Sequence, residues 1–184
     1  VKPYNTWLGI TSDWNDPDNW CPGVPTSATD VTIPNGLPFY PLLYDSVPVA
    51  RSIIIESNAS IEMLPESRLS IFGNFQNSGT VINKGTLTLS GATAQTYPGS
   101  TGTIAAMKIL EIANTGGGVL LDKSTYVSAE LKPSSGTFAL GDFDFTIRSV
   151  DTVTARVSKL GTTSVFTYGN GRFIVERFIR QGRK

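Results

Sequence analysis

The stretch Gly73-Asn-Phe-Gln-Asn-Ser-Gly79-Thr-Val-Ile-Asn-Lys-Gly85-Thr-Leu-Thr-Leu-Ser-Gly91 places a glycine at every sixth position. In step with it, Leu69, Phe75, Val81 and Leu87 put one apolar residue at the same phase of each hexad, with Thr or another strand former beside most of them. Six residues suit a short strand and a tight corner, because Gly accepts the positive φ or the close approach that a corner needs. Three hexads make an eighteen-residue coil. At that spacing Ile53, Ile71, Leu89 and Met107 share one register, and Leu69 and Leu87 share a second. In a β-solenoid no coil buries its apolar face alone, and each covers the next. The spacing therefore predicts an all-β, single-stranded parallel β-helix, right-handed by the general preference of parallel crossovers. The competing arrangement is a sandwich of two face-packed antiparallel sheets.

The chain has 184 residues, enough for one domain that buries roughly 70% of its unfolded surface without covalent staples. Its formal charge is zero and only 16% of its residues are charged, which argues against a nucleic-acid or membrane-surface partner held by bulk electrostatics. Charge is nevertheless uneven. Asp13, Asp16, Asp18 and Asp30 lie near the start, while Arg172, Arg177, Arg180, Arg183 and Lys184 crowd the end. An acidic head and a basic tail favour end-to-end contacts with neighbouring modules, or are simply solvated. The single cysteine, Cys21, permits no internal disulfide and no cysteine metal cluster. Histidine is absent, which excludes Ser-His-Asp and Cys-His nucleophile pairs and speaks against the hexapeptide acyltransferases, whose solenoids depend on a catalytic His. The start at Val1 and the lack of a long apolar run predict no membrane span and no leader peptide, and suggest a piece excised from a longer chain.

A single solenoid domain is expected over 1–184, with an N-terminal cap and first edge segment over 1–45 and coils over 46–184. All three tryptophans, Trp7, Trp14 and Trp20, sit near the start among Asp, Asn and Pro. The open end of a solenoid would otherwise leave strand edges and apolar interior in water, and large aromatics are suited to cover it. Leu37–Asp45, rich in Pro and aromatics, reads as a loop or edge segment over that cap. Strands are expected at 52–56, 60–63, 68–72, 80–82 and 86–89, and Gly-rich corners continue the pattern to a last strand near 171–179. Ala105–Ala113 is the one segment that propensity would make helical. Its position in the eighteen-residue register predicts a strand.

The residues offer three candidate sites. The tryptophans, with Tyr40 and Tyr44, could present aromatic faces to a glycan, although Trp is mostly buried in folded domains. Asp13, Asn15, Asp16 and Asp18 supply oxygens at the close spacing of a calcium loop, without the mid-loop Gly and distal Glu of an EF-hand. Calcium is thus the one cofactor to consider. Asp142 and Asp144, as i and i+2 on one strand, would share a face about 7 Å apart, near the span of an inverting glycosidase pair, with Arg148 on the same alternation. The plainer reading is a polar outer face between inward Phe143 and Phe145.

The opening residues Trp7-Leu-Gly9, Asp13-Trp14, Asn19-Trp20, Val24-Pro25-Thr26 and Asp30-Val-Thr-Ile-Pro34 resemble the start of β-solenoid modules in large secreted and cell-surface proteins of Bacteroidetes-type bacteria. Further matches run through 52–56, 69–79, 94–96, 135–137 and 175–179, so the resemblance spans nearly the whole chain. Some relatives carry a second cysteine near the position of Ala50, and its absence leaves Cys21 unpaired. The resemblance implies a non-catalytic, extracellular structural or adhesive module that spaces or presents other domains, often exported by the type IX route. It implies no catalytic residue. A carbohydrate-binding module is the first alternative and a polysaccharide-degrading β-helix enzyme the second, the latter by fold analogy alone.

Overall fold

The computed structural model describes residues 5–44, 47–98, 101–150 and 153–179. Over them the chain is all β, with one 3-10 turn at Pro17–Asn19. Parallel strands stack into a solenoid of about seven turns, which excludes the sandwich. One face orders Trp20–Cys21, Asn5–Trp7, Val31–Ile33, Ile53–Ile55 and Phe75–Asn77, antiparallel only in its first pair. The widest face runs from Leu42–Leu43 through Ser60–Met63, Thr80–Leu89, Thr103–Ala113 and Glu130–Ser135 to Arg156–Val157, with Val49–Ala50 and Arg68–Ile71 alongside. Two further faces close the later coils. Gln95–Tyr97, Val119–Leu121, Thr137–Ala139 and Val165–Thr167 form one, and Thr125–Val127, Phe145–Arg148 and Phe173–Glu176 the other.

Alternation decides what each strand buries. Ser60–Met63 and Arg68–Ile71 bury every second residue, so Ile61, Met63, Leu69 and Ile71 enter a core that continues from Trp7 to Ala155. Ala105–Ala113 lies wholly in the Thr103–Ala113 strand. It is hydrogen-bonded between Thr80–Leu89 and Glu130–Ser135, and that two-sided ladder outweighs its helix propensity. The strands Phe75–Asn77 and Gln95–Tyr97 were not separately expected. Leu42–Leu43 already pairs with Ser60–Met63, so a coil begins inside the segment assigned to the cap.

The uniform eighteen-residue coil does not hold. Leu69 stacks on Leu87 and Ile71 on Leu89 as expected, but Ile53 stacks on Phe75, Leu89 on Ile112, and Met107 on Asn83. The cause lies in the corners. The coil holding Ile53–Ile55 turns through 56–59 and 64–67, where Asn58 and Glu66 take positive φ. The next coil turns instead through Ser78-Gly79 and Lys84-Gly85, each two residues shorter between paired strand ends. These tighter corners nest inside the wider ones. A Cβ on Gly79 would strike the carbonyl oxygens of Ala59 and Glu56, and one on Gly85 those of Ser67 and Leu64. Close approach is thus what the hexad glycines provide, and neither has positive φ.

Buried amides hold the same corners. Asn77 Oδ1 accepts from Gly79 N–H at 3.0 Å while its Nδ2 donates to Thr103 C=O at 3.1 Å. Asn114 repeats the device on Gly116 N–H, at 2.9 Å, and Thr93 C=O, at 2.7 Å. Each amide satisfies its own corner and a neighbouring coil, as a buried polar group must.

Candidate functional site

The N-terminal end is sealed from within. Trp7, Trp14 and Trp20 are 0%, 1% and 4% exposed. The Trp20 ring meets the other two edge to face, with centroids 5.0 Å from Trp7 and 4.7 Å from Trp14. The Trp20 indole N–H donates to Trp14 C=O at 2.6 Å, and that of Trp7 to Phe39 C=O at 2.9 Å. The segment between Trp7 and Trp20 crosses the mouth of the solenoid from one face to another. Leu8 N–H bonds Asn19 C=O at one edge, and Leu42 N–H bonds Ser12 C=O at the other. The indoles therefore act as a plug, as the cap reading expects, and the alternative of a tryptophan platform for a sugar is not formed. Tyr40 is half-buried against the same core. Tyr44 is exposed, beside the Asp13 carboxylate, whose charge holds its phenol above the usual range.

The candidate calcium loop is also not assembled. Asp13 Oδ1 accepts from Asn15 N–H at 2.9 Å, and Asp16 Oδ1 accepts from Asp18 N–H at 3.0 Å. Asp16 Oδ2 takes the Thr11 hydroxyl at 3.1 Å. These oxygens are turned onto local donors, forming Asx turns. Among the described residues no three acidic, thiol or imidazole groups converge as a metal site.

At the other end, Asp142 and Asp144 do not share a strand. Gly141, at φ 58°, starts a turn through Asp144, and the strand begins only at Phe145. Phe143 is consequently 37% exposed while Phe145 is buried, contrary to the expected inward pair. Asp142 Oδ1 accepts from Asn170 Nδ2 at 2.9 Å. Asp144 pairs with Arg172 at 2.7 Å, and hydrogen bonds from that guanidinium lower its pKa. Arg148 pairs with Glu176 at 3.0 Å and lies 4.3 Å above the Tyr126 ring. Each carboxylate is a tie to the next coil rather than a free acid or base.

A groove of about 360 Å³ runs past Pro98, Lys123 and Tyr126. Lys123 Nζ donates to Gly102 C=O at 3.2 Å across it, and Arg148 occupies the ring face that a sugar would use.

The C-terminal end is built differently from the cap. Among the described residues, Arg156–Val157, Val165–Thr167 and Phe173–Glu176 are the outermost strands of their faces, each paired on one side. Phe166 stacks on Phe138 with centroids 6.0 Å apart, and Phe173 on Phe145 at 5.8 Å. The covered rings of Phe138 and Phe145 are 1% and 0% exposed, whereas Phe166 and Phe173 stay only half-buried. Val165, Tyr168, Val175, Phe178 and Ile179 are exposed. Arg180, Arg183 and Lys184 of the expected basic tail lie outside the described residues, as does Asp45.

Sequence reasoning missed the amide ladder. The signal for the ladder was present as Asn-x-Gly at 77–79, 83–85 and 114–116. Compared with known proteins, the chain matches no family model, no curated protein and no solved structure.

Proposed function

We propose that this chain is a non-catalytic structural module that spaces or presents other domains of a large surface or secreted protein, outside the cell. The observation that carries this reading is that coil after coil is cross-tied along the solenoid axis. Asp30 pairs with Arg51, Glu62 with Lys84, Glu130 with Arg156 and Asp144 with Arg172, each across one coil boundary. Arg68 reaches Glu111 across two, and Ser134 joins from the coil beyond at 2.7 Å. With adjacent parallel strands about 4.8 Å apart, these ties suit a stiff axial spacer. The resemblance of the opening motif to repeated surface modules supports an exported setting.

The carbohydrate-binding alternative rests on Tyr44, which is exposed, and no longer on the indoles. Screening residues 1–184 against a glycan array and a panel of polysaccharides decides between the readings. The spacer reading expects neither retention nor turnover. Binding lost in Tyr44→Ala would move the chain to the carbohydrate-binding class, and turnover lost in Asp144→Asn would make it an enzyme.

A further inference from the structure

Asparagine followed by glycine occurs twice in the chain, at Asn35-Gly36 and at Asn170-Gly171. Asparagine is a thermolabile residue, and a following glycine leaves no Cβ to keep its backbone nitrogen from the asparagine side-chain carbonyl. The two pairs stand in opposite settings.

Asn35 and Gly36 are both exposed, in the corner that leaves the strand Val31–Ile33. Gly36 has φ +73° and nothing within 4 Å of the place a Cβ would take. Among the described residues, neither the Asn35 side-chain amide nor the Gly36 N–H has a hydrogen-bond partner. The corner is tied to the next coil by the Asn35 backbone N–H, which donates to Glu56 Oε2 at 3.1 Å. At the second pair both reacting groups are held. Asn170 Nδ2 donates to Asp142 Oδ1 at 2.9 Å, and Gly171 N–H donates to Gly141 C=O at 2.9 Å. Gly171 is buried, and a Cβ there would strike the Phe143 backbone.

We propose that Asn35 is a site of spontaneous deamidation, with water as the co-reactant, and that the fold protects Asn170 from the same reaction. The Gly36 nitrogen gives up its proton and adds to Asn35 Cγ. The Cγ–Nδ2 bond breaks, ammonia leaves carrying a proton in exchange, and a succinimide ring remains. Water then opens the ring at one of its two carbonyls, leaving aspartate or isoaspartate. No atom changes oxidation state. The product sets a second carboxylate beside Glu56, and isoaspartate adds a methylene to the main chain, at a corner with open space around it. The modified chain therefore keeps its fold and gains one negative charge. This goes beyond the spacer reading and does not depend on it.

Peptide mass spectrometry on the 184-residue chain, aged at mildly alkaline pH both native and in urea, tests this. In the native chain Asn35 converts at least about tenfold faster than Asn170, and in urea, where local protection is gone, the two convert at similar rates. Asp142→Ala frees the Asn170 amide, so it raises conversion at Asn170 and leaves Asn35 unchanged. An unfolding curve confirms that this variant folds. An Asn35 that survives in the native chain while converting in urea would overturn the proposal. So would native conversion of both sites at one rate, which would mean that their surroundings do not decide the reaction.

Discussion

Asn83 and Gly85 close a corner between them: the Asn83 Oδ1 accepts the Gly85 N–H at 2.9 Å, and the same amide donates from Nδ2 to the Ile109 carbonyl at 3.0 Å. Asn83 is 0% exposed, so both backbone groups would be stranded without it. Asn83→Ala should destabilise the fold by about 2–4 kcal/mol, the range for leaving buried polar groups unpaired. Asn83→Asp should fare no better, since it keeps the acceptor but loses the donor and buries charge. Urea denaturation measures both. A loss under about 0.5 kcal/mol for Asn83→Ala would show that water replaces the amide, as it does at ordinary surface positions.

Gly85 separates space from conformation. Its φ is not positive, yet an added Cβ would run into backbone oxygens of the coil beneath. Gly36 is the converse, with φ +73° and open space around the same atom. Gly85→Ala should cost about 3 kcal/mol or more by forcing two coils apart. Gly36→Ala should cost about 1 kcal/mol, the strain of a left-handed conformation. Equal effects in thermal unfolding would mean that the corners do not nest.

This pair also shows how far the fold was legible. The hexad glycines and the apolar residues between them sufficed for parallel coils, because nesting corners and stacked side chains both leave a period in the chain. They did not suffice for coil length. Whether a corner takes four residues, as at 56–59, or the two-residue-shorter Asn-x-Gly path is settled by which coil lies inside the other, and that is a tertiary fact. The same limit displaced Phe143: the turn at Gly141–Asp144 restarts the alternation, so counting back from Phe145 put it on the wrong side. The tryptophans read correctly as a cap. Their plugging geometry, with each ring edge-on to another, could not be had from spacing alone.

Glu111 should shape the acid limb of stability. Partial burial alone would raise its carboxyl pKa, but hydrogen bonds from Ser134, Arg68 and Thr88 and the Arg68 charge outweigh that and hold it below its ordinary value of 4.5. A carboxyl lowered on folding stabilises the native state above the unfolded pKa, and the contribution fades as pH falls through the folded one. Glu111→Gln should therefore lose about 1 kcal/mol at neutral pH, with the gap to the parent closing below about pH 4.5. Denaturation midpoints of both chains from pH 7 to pH 3 give the comparison. A constant gap across that range would place the effect in packing rather than in charge.

Tryptophan emission reports on the cap. With all three indoles buried, native fluorescence should be blue-shifted and nearly immune to acrylamide, and it should change with global unfolding. Strong quenching in the native state would mean that the plug opens, and would return the indoles to consideration as ligand surfaces.

Stacking in a defined register is the claim beneath all of this, and a pair of introduced cysteines reads it directly. Ile54 and Gln76 are register partners on adjacent parallel strands, with outward-facing side chains, and strands so paired lie within disulfide reach. In a Cys21→Ser background, Ile54→Cys with Gln76→Cys should form a bridge on mild oxidation of the native chain. Ile54→Cys with Phe72→Cys, the partners of an even eighteen-residue coil, should stay reduced. Ready bridging of the second pair and free thiols in the first would contradict the register and the nested corners that produce it.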